Sequence, residues 1–596
     1  MPEQSSGVGQ SRRVREIASG AGEGLASDQD RALRKHVEGR LIGLRVNRYS
    51  WWTHWRELAD YYLPRRYKWL ITPNQMARGS PINQHILDST PTLAARNLAS
   101  GMMSGITSPT RPWFKLRIGM IDSTQTSPIS LWLAEVERRM QIVFQESNFY
   151  SSMAIWYFDL VIFGTAAMLI YEDFDDVIRC QNPCLGEYYV DNTGDLRSLV
   201  FFREFTLTVS QVVERFGIDN VSPMVARLYK EGGSSLTREV IVAHAIEPND
   251  DSRKFDIPSH FKFREVYWEW GGSASPQGGS SFAPGLLCKG GFNEALHIVG
   301  RWDLVSNDAY GRSPGMDGLG DNKQLQQEGR RKAQAIDKLV NPPMVADIQL
   351  KNQPASLLPG GVTYITGMMS QGRPGFAPVY TVAPPVKEIM EDLNEVRTRL
   401  KEVFFNPLFQ TISQYETRSN VSATEIDARR AESLVMLGPV LERVNEEGLK
   451  PIIERVFGVM VRSGTLNDLP APAEIAGANI TIDFVSMLET AQTSAQASGI
   501  ERLFQIAGNL AGIDPQVMDN IDIDFGLDKY SSLMNNDPRL IRSPQQLAMI
   551  RQQRQQQQQQ QQQAEMAEKM AQGAKTLSET QVGGGRNALQ AMGAGT

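Results

Sequence analysis

The residues of this chain that could carry a reaction lie in a few short stretches. GRSPG, from Gly311 to Gly315, has the form G-x-S-x-G, in which a serine on a sharp strand-to-helix turn becomes a nucleophile. That chemistry needs the backbone N–H after the serine to stabilise an oxyanion, and here the next residue is Pro314, which has none. A turn with Pro314 opening a helix is the expected role. YEDFDD, from Tyr171, gathers Glu172, Asp173, Asp175 and Asp176, the residue types that hold a divalent cation in a metal-dependent nuclease. Such a site also draws carboxylates from distant strands, and no second acidic cluster stands out, so a solvated strand end competes with it. Cys180 and Cys184 lack the second Cys or His pair of a zinc site and read as small buried apolar residues.

Other reactive patterns are missing. No G-x-x-x-x-G-K-[ST] phosphate loop and no H-E-x-x-H occur, and the 6 histidines are scattered singly. An odd set of 3 cysteines gives no disulfide framework and fits a reducing compartment. The formal net charge of -6 exerts no overall pull towards nucleic acid, so any contact with DNA must be local or weak. These features predict a non-enzymatic chain without metal or cofactor. One apolar run, Met153 to Tyr171, is barely long enough to span a bilayer and contains Asp159, so it is expected in a protein core and not in a membrane.

Basic residues cluster at two places where a charge could face DNA. Arg330, Arg331 and Lys332 lie together on a long polar helix expected from Gly315 to the stop at Pro342 and Pro343. Arg418 lies in a polar loop between Phe405 and Thr424, with Ser422 or Thr424 capping the next helix. In both places a solvated surface is the alternative.

The elements that must position these residues are readable from spacing. A Gly/Ser-rich arm over residues 1–30 is expected to be disordered. Apolar residues at helical spacing, among them Leu33, Val37, Leu41, Leu44, Trp51, Trp52 and Trp55, predict a helix from Arg31 to Pro64. DSTPTLAARNLASGMMSGITSPTRPWFKL, Asp88 to Leu116, predicts a small-residue helix that lets neighbours approach and that stops at Pro109 and Pro112. A helix from Ile129 to Ser147 follows, then a strand-like run from Val161 to Ile178. Gly186 to Thr208 reads as a hairpin with its turn at Asn192 to Gly194, and Ser210 as the cap of a short helix ending at Gly217. Arg238 to Val305 reads as a small β-domain. Beyond it come a short β-rich passage at Met344 to Thr381 and a helix from Val386 to Phe405. The stretch from Asn420 is then helical almost throughout, with Gly464 as its stop, and further helices follow at 489–512 and 544–572. The last carries the glutamine run Gln555 to Gln563, readable as disordered or as a polar helix supported by neighbouring copies. The tail after Thr580 is expected to be mobile.

Read in order, YYLPRR (Tyr61 to Arg66), LDSTPTLAARNLASGMMSGITSPTRPWFKL (Leu87 to Leu116), FGTAAMLIYED (Phe163 to Asp173), NDAYGRSPGMDGLGDNKQLQ (Asn307 to Gln326) and SATEIDARRAE with LGPVLERV (Ser422 to Val444) resemble the portal, or head-to-tail connector, proteins of short-tailed bacteriophages. The resemblance covers about residues 30 to 510. It implies a mainly α, α+β portal fold with wing, stem, clip and crown, assembled as a dodecameric ring around a DNA channel at one capsid vertex. It also implies partners: further copies of the chain, terminase, tail adaptors, scaffolding and capsid proteins, and double-stranded DNA in transit, within the virion and, during assembly, the host cytoplasm. By similarity the wing is 31–205 and 342–464, the stem 206–237 and 313–341, and the clip 238–312. The tunnel loop is 406–421, the crown and a possible helical barrel 465–580, and the tail 581–596. Arg418, Arg330, Arg331 and Lys332 become the DNA-facing candidates.

Physical chemistry agrees with that resemblance. Each phosphate neutralised adds salt-dependent grip, so a conduit for sliding DNA is better served by isolated basic rings than by a basic chain. Small-residue and Trp-rich helices suit subunit interfaces, and heterologous contacts close into a ring when the rotation closes. The alternatives are a nuclease built on Glu172, Asp173, Asp175 and Asp176, and a membrane-inserted ejection protein built on 153–171.

Overall fold

Apolar residues spaced along the first described stretch form a single helix of 35 residues, α1 (Asp28–Tyr62), which buries Leu33, Val37, Leu41, Leu44, Trp55 and Leu58 on one side. The computed structural model describes residues 28–64, 66, 85–118, 128–250, 257–270, 285–340, 344–346, 376–378, 385–407, 438–470, 472, 480–484, 487–511, 522–533, 540, 542, 544–579, 581–582 and 586–587. The chain divides into two units, the larger comprising Met1–Lys115, Arg138–Asp468 and Ile482–Ala491 and the smaller Leu116–Glu137, Leu469–Thr481 and Gln492–Thr596. The mixture of helices and sheets is that of a mainly α, α+β protein.

After α1 come α2 (Thr90–Ile106), β1 (Phe114–Ile118), α3 (Pro128–Glu146), α4 (Phe149–Phe163), β2 (Thr165–Asp173), β3 (Val177–Gln181), β4 (Tyr188–Asp191) and β5 (Val200–Thr208). Then follow α5 (Val209–Phe216), α6 (Pro223–Glu231), β6 (Glu239–Pro248), β7 (Phe263–Glu269), β8 (Cys288–Phe292) and β9 (His297–Arg301). β6, β7 and β8 do not make a sheet of their own. They extend the one begun by β4 and β5, in the order β4-β5-β6-β7-β8, all antiparallel. Side chains alternate across this sheet with a period of two. Tyr189, Phe202, Ala245, Val266 and Trp268 meet α1 on one face. Phe205, Val242 and Tyr267 meet α5 and α6 on the other.

α5 begins two residues earlier than a cap at Ser210 would place it, and its cap is Thr208. The chain leaves β5 still extended at Thr208, whose hydroxyl accepts from Gln211 N while Gln211 Oε1 accepts from Thr208 N. Thr208→Ala should cost about 1 kcal/mol, read as a lower denaturation midpoint, with Ser210→Ala near neutral as the contrast.

β2 also sits in a second sheet of order β3-β2-β9. The expected strand from Val161 starts later, because Val161 to Phe163 form the last turn of α4 and Gly164, at φ 75, turns the chain into β2. Trp156 of α4 is fully buried, and its ring fills the space where Gly300 and Gly448 carry no side chain. The small-residue helix α2 buries Ala94, Ala95, Leu98, Ala99 and Met102, packing on α4 and on a later helix, Val386–Val403. Its neighbour on that face is therefore its own chain. Trp55 is likewise held inside the chain, 4.8 Å from Tyr310 in an edge-on pair.

The polar helix appears as a single turn, α7 (Pro314–Asp317), followed by α8 (Leu319–Val340). β10 (Met344–Ala346) pairs with β11 (Phe376–Pro378), and α9 (Val386–Val403) follows. α10 (Gly438–Arg443) runs through a π-helical turn at Val444–Leu449 into α11 (Lys450–Ser463), stopped by Gly464 at φ 80. β12 (Ile480–Phe484) precedes α12 (Met487–Ala511).

In the smaller unit, α13 (Ile523–Leu533) packs Gly526 against Phe504 and donates from Tyr530 to Glu501. α14 (Pro544–Glu579) contains the whole glutamine run as exposed helix. At 1.5 Å per residue its 36 residues extend about 54 Å. Just beyond, β13 (Gln581–Val582) and β14 (Arg586–Asn587) pair antiparallel in the tail expected to be mobile. The N-terminal arm up to residue 27 lies outside the described residues.

Candidate functional site

The G-x-S-x-G stretch is wholly structural. Ser313 is 1% exposed. Its Oγ donates to Ile162 O at 2.6 Å and accepts from Met316 N at 3.1 Å, which caps α7. A hydroxyl occupied in this way, out of reach of solvent, has no substrate to attack. The glycines of the motif serve a backbone crossing: a Cβ on Gly311 would overlap Gly164 O, and one on Gly164 would overlap Gly311 O.

The acidic stretch forms the β2–β3 turn. Glu172 accepts from Arg462 Nη2 at 2.7 Å and lies 3.3 Å from Arg455 Nη2. Glu294 completes the square, 3.1 Å from Arg455 and 2.9 Å from Arg462. Arg455 is nearly inaccessible at 1% exposure, so the two glutamates neutralise a charge that burial would otherwise penalise. Among the described residues no group of three or more His, Cys, Asp or Glu could hold a metal ion, and the nuclease reading has no support.

Arg301 ties the same helical segment to the second sheet. It is fully buried and donates to both oxygens of Glu447 at 2.9 and 2.8 Å, to Asn192 Oδ1 at 2.7 Å and to Leu196 O at 2.7 Å. Glu447 sits in the π-helical turn, whose wider winding lets Gly448 meet Trp156 alongside. Arg301 and Arg455 were missed in the sequence. The available signal was an arginine at an inward position of an apolar strand (HIVGRW) and another inside the apolar face of PIIERVFGVMV.

The DNA-facing candidates divide. Arg330 and Arg331 are exposed and Lys332 half-buried on α8, whose root is rigid while its outer turns stand free of the core. At the root, Gln326 Oε1 accepts from the backbone N–H of Leu87 (2.7 Å) and Asp88 (2.8 Å). Asn322 donates to Tyr61 O at 3.1 Å, and Leu325 packs with Leu393, Val396 and Leu400 of α9. Arg397 pairs with Asp88 at 2.7 Å, so α8, α9 and the start of α2 form one block. Beyond it the helix carries Arg330, Arg331, Lys332 and Lys338 against the single acid Asp337. Arg418 and the loop around it lie outside the described residues.

A second buried ionic group sits beside this block. Asp159 of α4 is paired with Arg66 at 3.1 Å, and its other oxygen has no donor among the described residues. Burial outweighs the pairing and pushes its pKa up to about 6, and burial lifts Glu187 nearby to about 7. The folded chain thus holds protons on both acids at pH values where the unfolded chain has released them. Their contribution to stability falls as pH rises, from 3.8 through 6 for Asp159 and from 4.5 through 7 for Glu187. Asp88 and Glu294 shift downward, so their contribution is lost only at more acidic pH. Burial lowers His244 and His297 to about 4, which removes stability as pH falls below about 6.5 and offsets the two acids. The melting temperature should therefore change little between about pH 5.5 and about pH 7.5, and Asp159→Asn with Glu187→Gln should leave a protein that melts lower at about pH 5.5 than at about pH 7.5.

What the described residues place together is a rigid helical block presenting a basic helix. Residues 34–541 match the family described as bacteriophage head to tail connecting protein, and the chain belongs to it. It is 39% identical over 546 residues to the portal protein of Salmonella phage epsilon15, covering 91% of this chain and 95% of that one. It is 38% identical over 525 residues to the probable portal protein of Bordetella phage BPP-1, covering 87% of this chain and 91% of that one. No described helix is long and apolar enough to cross a membrane.

Proposed function

We propose that this chain forms a ring, expected to contain twelve copies, at one capsid vertex, through which double-stranded DNA enters during packaging and leaves during infection. Terminase would dock on it during packaging and tail adaptors afterwards, with scaffolding and capsid proteins around it. The observation that carries this reading is likeness to two phage portal proteins along nearly their whole length. The assignment of wing, stem, clip, crown and tunnel loop to the ranges given above goes with it. In that assignment α8 is the stem helix and its basic residues Arg330, Arg331 and Lys332 face the channel. A few basic rings in an otherwise mildly acidic chain favour passage over retention, since grip grows with each neutralised phosphate. α14 is nearly all polar and exposed, and such a helix is marginal alone. Copies of it side by side around the ring would support one another.

Mass measurement of the purified assembly tests the ring. A chain that stays monomeric at high concentration, even with scaffold present, sinks the reading. Arg418→Ala should leave assembly intact and impair DNA packaging or retention. Normal packaging and retention in that variant would remove Arg418 from the valve.

A further inference from the structure

Two exposed features of the larger unit have no partner within the chain's described core, and their chemistry is complementary. The first is the outer face of α1. Ile42, Val46 and Tyr49 recur at i, i+4 and i+7, one stripe along the helix, and are 55%, 70% and 79% exposed. Gly39 and Gly43 lie in the same stripe, and a Cβ on either would meet nothing within 4 Å. Each glycine costs the helix about 1 kcal/mol relative to alanine, and no close approach inside the chain accounts for it. Lys35 and Arg56, both exposed, stand at the two ends of the stripe.

The second is the tip of the β2–β3 turn. Phe174 is 77% exposed there, flanked by Asp173, Asp175 and Asp176. The turn is held firmly: Asp173 pairs with Val177 across the ladder, Asp175 N donates to Asp173 Oδ1 at 3.0 Å, and Glu172 is gripped by Arg455 and Arg462. A large aromatic ring on a rigid acidic tip is an anchor suited to an apolar surface with basic margins.

The elements that carry the two features meet opposite faces of the five-stranded sheet. α1 covers the face bearing Phe202, Ala245 and Val266. β2 approaches the opposite face, where Tyr171 lies 3.4 Å from Tyr267 and Arg215 donates to Tyr267 at 3.0 Å. Complementary patches on opposite sides of one subunit make a head-to-tail contact, the kind that closes into a cyclic ring. We propose that Phe174 and its acidic turn on one copy of this chain dock on the Gly39, Ile42, Gly43, Val46, Tyr49 face of α1 on the next copy. The proposal rests on the ring reading above and names two of the surfaces that would build it.

The test uses the full chain with Cys288→Ser, carrying Val46→Cys and Phe174→Cys singly and together, treated with a short bismaleimide to which both thiols add. Cys180 and Cys184 are buried and stay unreactive. The double variant should give a ladder of covalent multimers, while each single variant runs as one chain. In parallel, Val46→Glu sets an acid against Asp173, Asp175 and Asp176 and should lower ring yield by about tenfold or more, with Val46→Lys retaining it. Intact rings whose double variant stays uncoupled, or couples only within one chain, overturn the contact and leave the ring standing. Equal ring yield from Val46→Glu and Val46→Lys overturns it as well. Monomers from the unsubstituted chain overturn the ring reading, and the contact with it.

Discussion

Replacing Gly164 by alanine should leave little folded protein. Gly164 ends α4 at φ 75, a conformation that costs an L-residue about 1–2 kcal/mol. The added Cβ would also overlap Gly311 O and lie 2.7 Å from Arg312 C, so backbone and not a flexible side chain would have to move. Overpacking of this kind costs about 1–3 kcal/mol in a well-filled core. The loss, about 2–5 kcal/mol altogether, is a large part of the margin of most domains. Gly311→Ala should behave alike, because the crossing is mutual. Gly194→Ala is the control: nothing lies within 4 Å of a Cβ there. Soluble yield and melting temperature measure the effect, and a Gly164→Ala protein melting within about 2 °C of the parent would refute the crossing as a packing constraint.

The glycine pair shows what was legible in the sequence and what was not. Pro314 after Ser313 was enough to reject a nucleophile, because a missing N–H is a local fact. Why Gly164 and Gly311 are glycines was not readable, since the reason is a contact between residues far apart in the chain. The same division holds elsewhere. Helical spacing located α1, α2, α8, α9 and α12 to within a few residues, because burial on one side is written in period. The grouping of strands was not, since β4 and β5 join β6 to β8 through pairings between distant segments. Glu172 stood out as one of a cluster of acids, read as a cation site or a solvated strand end, but it is instead held by Arg455 and Arg462, which arrive from nearly three hundred residues away. Among the DNA-facing candidates, the structure describes Arg330, Arg331 and Lys332 on a free-standing helix end, while Arg418 lies outside the described residues.

Arg301→Met should destabilise by about 3–5 kcal/mol, the cost of removing one partner from a buried charge pair. Arg301 is the only one of the two fully buried, and Glu447 would lose both of its guanidinium bonds while remaining mostly covered. The effect extends beyond the pair. Leu196 O and Asn192 Oδ1 also accept from Arg301, and Leu196 is held at φ 59, which a non-glycine residue seldom adopts without support. Glu447→Gln should destabilise as well, because an amide oxygen still accepts one of the two bonds but leaves the fully buried Arg301 charge uncompensated. The double replacement Arg301→Met with Glu447→Leu should recover part of the loss, because no charge is then left unpaired, and the difference from additivity measures the coupling. Equal and additive losses in chemical denaturation would show that the two side chains act separately. The consequence for assembly follows from where Glu447 sits. The π-helical turn leads directly into α11, and Arg301, on β9, fixes that turn to the sheet and to the Asn192 to Leu196 loop. Loosening it releases the turn while Arg455 and Arg462 still hold α11 to Glu172 and Glu294, so thermal unfolding of Arg301→Met should begin at the turn beside Trp156, visible as an early fluorescence change.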